Sequence, residues 1–224
     1  MYEFIPWVDS DQEQIYEKVL IAFEEHFRLM HSVALKLIRC LSLGLGKQAE
    51  YFDPWFKDEC SSCFRAIRYM PRKDGGAGLE LKAEELKLVT PEHADSGFIT
   101  LLSTFMFQGL QVEIDGEYKS IQPVKNAIVV NIGETLQRIS GHKIKATMHR
   151  VLDIGCERFS CPFFFDPKYS ARISPILLSS ARKSAEDCDY EQDPANSAEI
   201  NQLDCFGKIL CQKLTSAYGE WKGF

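Results

Sequence analysis

Apolar residues recur at helical spacing from residue 10 to about residue 46. The stripe is formed by Ile15, Val19, Phe23, Phe27, Met30, Ala34, Leu37, Ile38 and Leu41. Ser10 and Glu13 give the Ser-x-x-Glu pattern of a helix start, and Gly44 and Gly46 are typical stop signals. This pattern predicts one long helix, or two in succession, whose apolar stripe packs against the core of the protein.

Short strands with turn signals between them are predicted from residue 97 to 166. They cover residues 98–105, 110–114, 118–121, 127–132, 143–152 and 158–165, and a further strand is predicted at 64–69. Asp115-Gly116 is a strong hairpin signal. Because no helix-length segment separates most of these strands, the sheet should be antiparallel, as in a sandwich, a barrel or a jelly roll. The polar segment 179–198 predicts a connection, and Leu203, Phe206, Leu210 and Leu214 mark a final helix.

Composition narrows the class of protein. The chain has 224 residues, of which 45% are hydrophobic and 26% are charged, as expected for one globular domain. A net charge of −6 argues against a nucleic-acid partner. The chain contains no run of about 18 apolar residues, so no membrane span is expected. The N-terminus lacks the pattern of a signal peptide. We therefore expect a cytoplasmic monomer whose eight cysteines are reduced thiols.

Three side chains suggest a metal site. His93 and Asp95 are two positions apart, and alternate residues of a strand point to the same side. His149 would come from a different strand. Two histidines and one carboxylate can occupy one face of a ferrous ion and leave the opposite face open for oxygen and an organic ligand.

Arg158 and Ser160 follow His149 at spacings of nine and eleven residues. The same alternation places both on one side of the next strand, where the arginine could hold a carboxylate. His-x-Asp alone is a weak signal, but the later histidine with its Arg-x-Ser makes it more specific. From these residues alone, a buried polar cluster without a metal, or a surface histidine, stays an open alternative.

Two similar patterns are weaker candidates. Arg172-Ile173-Ser174 is a second Arg-x-Ser, but it follows the last predicted strand of the sheet. His142 lies in a predicted turn and is expected to be exposed. His26 and His31 lie on the long helix, where core packing is favoured over ligand binding.

Ordered motifs between Arg65 and Pro167 resemble a known family. They read PEHADSGFITLL at 91–102, GLQV at 109–112, VVNIGE at 129–134, KATMHRV at 145–151 and ERFSCPFFF at 157–165. In this order and spacing the chain resembles the C-terminal catalytic domain of the iron(II)- and 2-oxoglutarate-dependent oxygenases, in the isopenicillin N synthase-like branch. Relative to that family the chain is N-terminally short.

The resemblance implies a mainly β double-stranded β-helix, or jelly roll, with flanking helices. It implies iron held by His93, Asp95 and His149, and 2-oxoglutarate whose distal carboxylate is held by Arg158, Ser160 and Tyr69. The implied reaction uses oxygen to hydroxylate or desaturate a small organic substrate, whose binding residues stay unassigned. A 2-oxoglutarate-independent iron oxidase of the same branch and an inactive truncated remnant are the alternatives.

The expected organisation has three parts. Residues 1–62 would form a helical segment that packs on the barrel. Residues 63–178 would form the double-stranded β-helix, and residues 179–224 a polar loop and a C-terminal helix.

Overall fold

The computed structural model of this protein describes residues 13–57, 60–72, 87–173, 176 and 204–218. Most strands of this part of the chain belong to two antiparallel sheets, with helices at the flanks, which confirms the predicted jelly-roll class. The strands are β1 (Cys63–Phe64), β2 (Ile67–Tyr69), β3 (Leu88–His93), β4 (Ile99–Ser103), β5 (Leu110–Ile114), β6 (Glu117–Ser120), β7 (Val129–Ile132), β8 (His149–Leu152), β9 (Arg158–Phe165), β10 (Arg172–Ile173) and β11 (Asp204–Cys205). The helices are α1 (Glu13–Gly44), a 3-10 helix (Ala49–Phe52), α2 (Asp53–Phe56), α3 (Glu134–Ile139) and α4 (Phe206–Tyr218).

The order of strands in the two sheets places distant segments side by side. The first sheet has the order β1-β9-β4-β7, with β2 also paired to β9. The second has the order β3-β8-β5-β6, and β10 pairs with β11 separately. The predicted strands at 110–114 and 158–165 have the observed bounds of β5 and β9. The hairpin between β5 and β6 turns at Asp115 and Gly116, whose φ angles of 55° and 80° suit a type I′ turn.

The core lies between α1 and the outer face of the first sheet. Met30, Ala34 and Ile38 of α1 are buried, and Phe27 packs edge to face on Phe163 of β9 at a ring distance of 5.3 Å. The helix ends as predicted: Gly46 has a φ of 71°, and the N–H of Lys47 donates to the carbonyl of Ser42 at 2.9 Å.

The first half of the helical stripe does not follow the prediction. Ile15, Val19 and Phe23 are 64%, 43% and 42% exposed. The reason is geometric, because the buried part of the stripe begins only where α1 reaches β9, near Phe27. Ser10 lies outside the described residues, as do the 179–198 connection and Leu203.

Several predicted strands are shorter than expected, and the strands at 143–152 and 64–69 differ most from the structure. The strand at 143–152 is present only at β8, because the N–H groups of Ile144 and Ala146 bond to the side chains of Ser140 and Gln137 rather than to a neighbouring strand. The strand at 64–69 is interrupted at Arg65 and Ala66. Across from them lies Pro162, which has no N–H to donate.

The structure also describes the cysteine thiols and the apolarity of the helices. Seven of the eight cysteines lie in the described part of the chain, and each of these has a free thiol. Within the described residues, no single helix combines the length and the apolarity of a membrane span. The bent pair 15–44 and 49–56, at an angle of 117°, reaches that composition only when both helices are counted together.

Candidate functional site

The two histidines of the predicted metal site lie opposite each other in the second sheet. His93 ends β3 and is the register partner of His149 in β8. Their ring centroids are 4.2 Å apart. The Nδ1 of His93 lies 2.8 Å from the carbonyl oxygen of Pro91, and that of His149 lies 2.9 Å from the carbonyl oxygen of Thr147. Because a carbonyl only accepts, both Nδ1 atoms carry the hydrogen, and both Nε2 lone pairs are available to a ligand.

Asp95 lies beside the two histidines but is not part of strand β3. The prediction that His93 and Asp95 share one strand is wrong, since β3 ends at His93 and Asp95 lies in the following loop. Asp95 Oδ1 is nevertheless 3.7 Å from the Nε2 of His93 and 3.9 Å from that of His149. The loop, rather than strand alternation, brings the carboxylate to the histidines.

The other oxygen of Asp95 is bound to the first sheet. Thr100 Oγ1 donates to Asp95 Oδ2 at 2.5 Å, and Asn131 Nδ2 donates to it at 2.9 Å. Thr100 and Asn131 are register partners in β4 and β7. The carboxylate therefore spans the two sheets, with one oxygen fixed on the first and the other directed at the histidines of the second.

The start of α3 holds the Asp95 loop in place. The N–H of Glu134 donates to the carbonyl of Asp95 at 2.8 Å, and that of Gly133 donates to the carbonyl of Phe98 at 3.0 Å. A side chain on Gly133 would overlap the backbone of Gly97. Glycine at position 133 is therefore required for this close approach of the two segments.

These three side chains fit a shared metal ion. Their ligand atoms all lie within 4.8 Å of one another, in a group of two imidazoles and one carboxylate. Two atoms that are each about 2.0–2.2 Å from one ion lie no more than about 4.4 Å apart, and both measured histidine–carboxylate separations meet this limit. The donor set is the one that non-haem ferrous sites use.

A cavity of about 140 Å³ opens between the two sheets beside these residues. His93, Asp95 and His149 line it, and so do the three predicted cosubstrate residues, Tyr69, Arg158 and Ser160. The structure therefore brings all six predicted site residues to one cavity. As predicted from strand alternation, Arg158 and Ser160 lie on the same side of β9.

Arg158 is a buried cation in the wall of this cavity. It is only 4% exposed. Its guanidinium lies 3.5 Å from the ring centroid of Tyr69, and its Nη2 donates to the carbonyl of Leu152 at 3.4 Å. It forms no ion pair with a carboxylate among the described residues. Gly109, with a φ of 116°, leaves the space for it, because a Cβ there would lie 3.3 Å from Nη2.

Two hydroxyl groups lie beside the guanidinium. Ser160 Oγ donates to Tyr69 Oη at 3.4 Å, and Tyr69 is the register partner of Arg158. The competing candidates lie elsewhere: Arg172 is exposed on β10, and His142 is exposed in a turn with a φ of 60°. His31 packs against Phe165, and the His26 Nε2 lies 3.4 Å from the thiol of Cys161.

Asp166, directly after β9, is a titratable group next to the site. Burial raises its pKa to about 6, the N–H of Phe98 opposes this by donating to the carboxylate at 2.9 Å, and the charge of Asp95 adds to the increase. Gly97 approaches this carboxylate so closely that a side chain there would overlap it. The ionised form of Asp166 is therefore costly in the folded protein.

Asp166→Asn should change the pH dependence of unfolding. An unfolded aspartate titrates near pH 4, so between about pH 4 and 6 the native state binds more protons and its stability falls as the pH rises. The wild type should lose up to about 3 kcal/mol of unfolding free energy over this range through Asp166. The amide of the variant keeps an acceptor for the N–H of Phe98 without this loss. Urea unfolding of the metal-free proteins at several pH values measures it, with Asp115→Asn at the exposed turn as control. An equal difference between wild type and variant at every pH would contradict the assignment.

The residues that position the site were not predicted from the sequence. Thr100 and Asn131 hold Asp95, and Gly109 accommodates Arg158. A signal was present for two of them. Thr100 and Asn131 are each a polar residue next to apolar positions inside a strand, in Ile99–Ser103 and Val129–Ile132, and a buried polar side chain needs a partner.

Comparison with known proteins places this geometry in a family. The 2OG-Fe(II) oxygenase superfamily matches residues 60–167. Gibberellin 20 oxidase 3 of Arabidopsis thaliana is 33% identical over 161 residues, which are 71% of this chain and 40% of that protein. Isopenicillin N synthase of Amycolatopsis lactamdurans is 28% identical over 81% of this chain and 54% of its own length. The chain thus spans about half the length of these relatives, or less.

A solved structure gives the same result. A full-length Neurospora crassa protein, crystallised in complex with alpha-KG, superposes with a TM-score of 0.67 at 27% identity, over 85% of this chain and 55% of that one. The family match, the relatives and this structure all agree with the resemblance found in the sequence. The chain belongs to the iron(II)- and 2-oxoglutarate-dependent oxygenase family.

Proposed function

We propose that this protein is a non-haem iron(II)- and 2-oxoglutarate-dependent oxygenase that hydroxylates or desaturates a small organic substrate. One observation carries the proposal. A buried arginine without a carboxylate partner among the described residues, Arg158, lines the same cavity as His93, Asp95 and His149. The cavity therefore offers a place for a metal and a place for an anion.

The anion site fits the distal carboxylate of 2-oxoglutarate. A buried cation is costly unless an opposite charge or several hydrogen bonds compensate it, and within the described part of the chain Arg158 forms one long hydrogen bond, to the carbonyl of Leu152. A carboxylate would accept two parallel bonds from the guanidinium. The hydroxyl groups of Ser160 and Tyr69 would bond to its remaining lone pairs.

His93, Asp95 and His149 would hold the iron. The metal supplies oxygen activation and the oxidising power for the reaction when it is bound. The protein's part is to direct both Nε2 atoms and Asp95 Oδ1 at one point. The carbonyls of Pro91 and Thr147 orient the two rings, and Thr100 and Asn131 orient the carboxylate. Such contacts fix the orientation of the side chains that would bind the metal.

The rest of the cavity provides a dry environment for the substrate. Its walls are mainly apolar and include Leu102, Phe107, Val112, Val129 and Phe164. Such walls exclude water from a reactive centre. A molecule with an apolar body is the substrate they fit.

Binding of manganese(II) and 2-oxoglutarate tests the proposal without turnover. Ligands that bind the native state raise its melting temperature, so the two together should raise it by several degrees and by more than either alone. With iron(II) under air, the protein should then form succinate from 2-oxoglutarate. Oxygen uptake that does not depend on 2-oxoglutarate would instead favour the iron oxidase alternative. A folded protein that neither ligand stabilises would contradict the proposal.

Thr100→Val should weaken metal binding about 10–100-fold, the usual effect of losing a contact that orients a metal ligand. The exchange keeps the shape of the side chain but removes the 2.5 Å bond to Asp95 Oδ2. Equilibrium dialysis with manganese(II) measures the effect. Thr104→Val is the matched control, because Thr104 lines the same cavity without contacting Asp95. Equal affinity of the Thr100 variant and the wild type would show that Asn131 alone positions the carboxylate.

A further inference from the structure

A second arginine, Arg65, also lines this cavity. It lies between strands β1 and β2. Arg65, Ile67 and Tyr69 alternate along the chain and all line the cavity. The N–H of Arg65 donates to the carbonyl of Pro162 at 3.0 Å, which fixes the backbone at this point. The guanidinium lies over the ring of Phe164, 5.3 Å from its centroid.

Arg65 differs from neighbouring arginines in having no acidic partner among the described residues. Arg68, three positions away, pairs with Glu157 at 2.6 Å. Arg150 pairs with Glu92 at 2.9 Å. Of the described residues that line the cavity, Asp95 alone carries a carboxylate, and both of its oxygens are already directed at other groups. Within this part of the chain, the cavity therefore leaves Arg65 without a counter-charge.

The expected ligands do not supply that charge. The carboxylate of Asp95 and the two negative charges of 2-oxoglutarate balance a divalent iron and Arg158. Arg65 is itself exposed to solvent, and it then remains as one uncompensated cation that lines an apolar cavity. A substrate with a single negative charge would neutralise it.

We propose that the substrate is an apolar molecule with a carboxylate group, and that Arg65 binds this carboxylate while the apolar walls bind the rest. The inference rests on the proposed function, because it assumes that 2-oxoglutarate occupies Arg158. The planar guanidinium can form two parallel hydrogen bonds with a carboxylate. Because it already lies over the ring of Phe164, it loses less conformational freedom when it binds. Arg65 is thereby a residue that determines substrate specificity.

Matched acids and amides test the charge requirement. The probes are apolar carboxylates from phenylacetate to decanoate, each compared with its primary amide. Protein loaded with manganese(II) and 2-oxoglutarate is titrated with each probe, and the melting temperature gives the affinity without turnover. At least one acid should bind about tenfold or more tightly than its amide. Equal binding of acids and amides across the series, or no binding of any acid, would overturn the proposal.

Variants of two arginines locate the effect. Arg65→Gln should remove the preference for the acid, and Arg65→Lys should retain part of it. Arg68→Gln is the matched control, since it removes the same charge three residues away from a side chain that pairs with Glu157. Preference for the acid that survives in Arg65→Gln, or is lost equally in Arg68→Gln, would contradict the assignment.

The affinity for 2-oxoglutarate separates this inference from the proposed function. It should be the same in Arg65→Gln and in the wild type, because Arg158 holds the cosubstrate. If wild-type protein binds manganese(II) and 2-oxoglutarate but Arg65 does not affect acid binding, the inference alone fails. If the wild type binds neither ligand, the proposed function fails as well.

Discussion

Arg158→Gln should weaken 2-oxoglutarate binding by about 100-fold or more. Removing one member of a buried, hydrogen-bonded charge pair costs about 3–5 kcal/mol, because the other charge stays buried without a partner, and each 1.4 kcal/mol is about a factor of ten in affinity. Arg158 meets this condition, since it is 4% exposed in the cavity wall. Ser160 and Tyr69 would remain, but their hydroxyl groups carry no charge.

The same substitution should have little effect on the protein without ligand. There Arg158 has no carboxylate partner among the described residues, and its one hydrogen bond, to Leu152, is long at 3.4 Å. Loss of a buried, uncompensated charge offsets loss of packing against Tyr69. The unfolding free energy should therefore change by no more than about 1 kcal/mol, which separates a binding role from a structural one.

Titration of the manganese(II)-loaded proteins with 2-oxoglutarate, followed by melting temperature, measures both effects. Arg172→Gln is the matched control, because Arg172 belongs to the second Arg-x-Ser pattern but is exposed on β10. It should bind 2-oxoglutarate like the wild type. If Arg172→Gln instead lost the ligand and Arg158→Gln kept it, the cosubstrate would be bound elsewhere.

Some parts of this fold follow directly from the sequence. The strands β5 and β9 have the predicted bounds because alternation and the Asp115-Gly116 turn define them locally. Alternation also explains the Phe163-Phe164-Phe165 run. Phe163 and Phe165 are fully buried against the helices, while Phe164 lines the cavity.

Other parts depend on contacts between distant segments. Helix α3 has only six residues, too few for a periodic signal. Asp95 leaves the strand because the start of α3, far along the chain at Glu134, holds its loop. Thr100 and Asn131 become partners of Asp95 only when β4 and β7 pair. The types of side chain at the site could be predicted from the sequence, but the way in which Asp95 is positioned could not.

His149→Ala should abolish metal binding, with a loss of more than about 100-fold. Losing a contact that only orients a ligand costs about 10–100-fold, and this substitution removes a ligand atom itself. His149 contributes one of two Nε2 atoms directed at the carboxylate of Asp95, 3.9 Å away. With His149 absent, one imidazole and one carboxylate remain, so the ion would lose one of its three protein ligands.

A loss of metal could also arise if the variant did not fold, since His149 is buried in the middle of the second sheet. His93→Ala tests the same site at lower cost to folding, because the side chain of His93 is 39% exposed at the end of β3. Equilibrium dialysis with manganese(II) should show loss of binding in both variants, and circular dichroism should show that His93→Ala keeps its secondary structure. His142→Ala, at the exposed turn, should bind the metal normally. Wild-type affinity in His93→Ala would show that these two imidazoles do not share an ion. The described residues contain no other cluster of this kind, so the proposed chemistry would then lack its metal site.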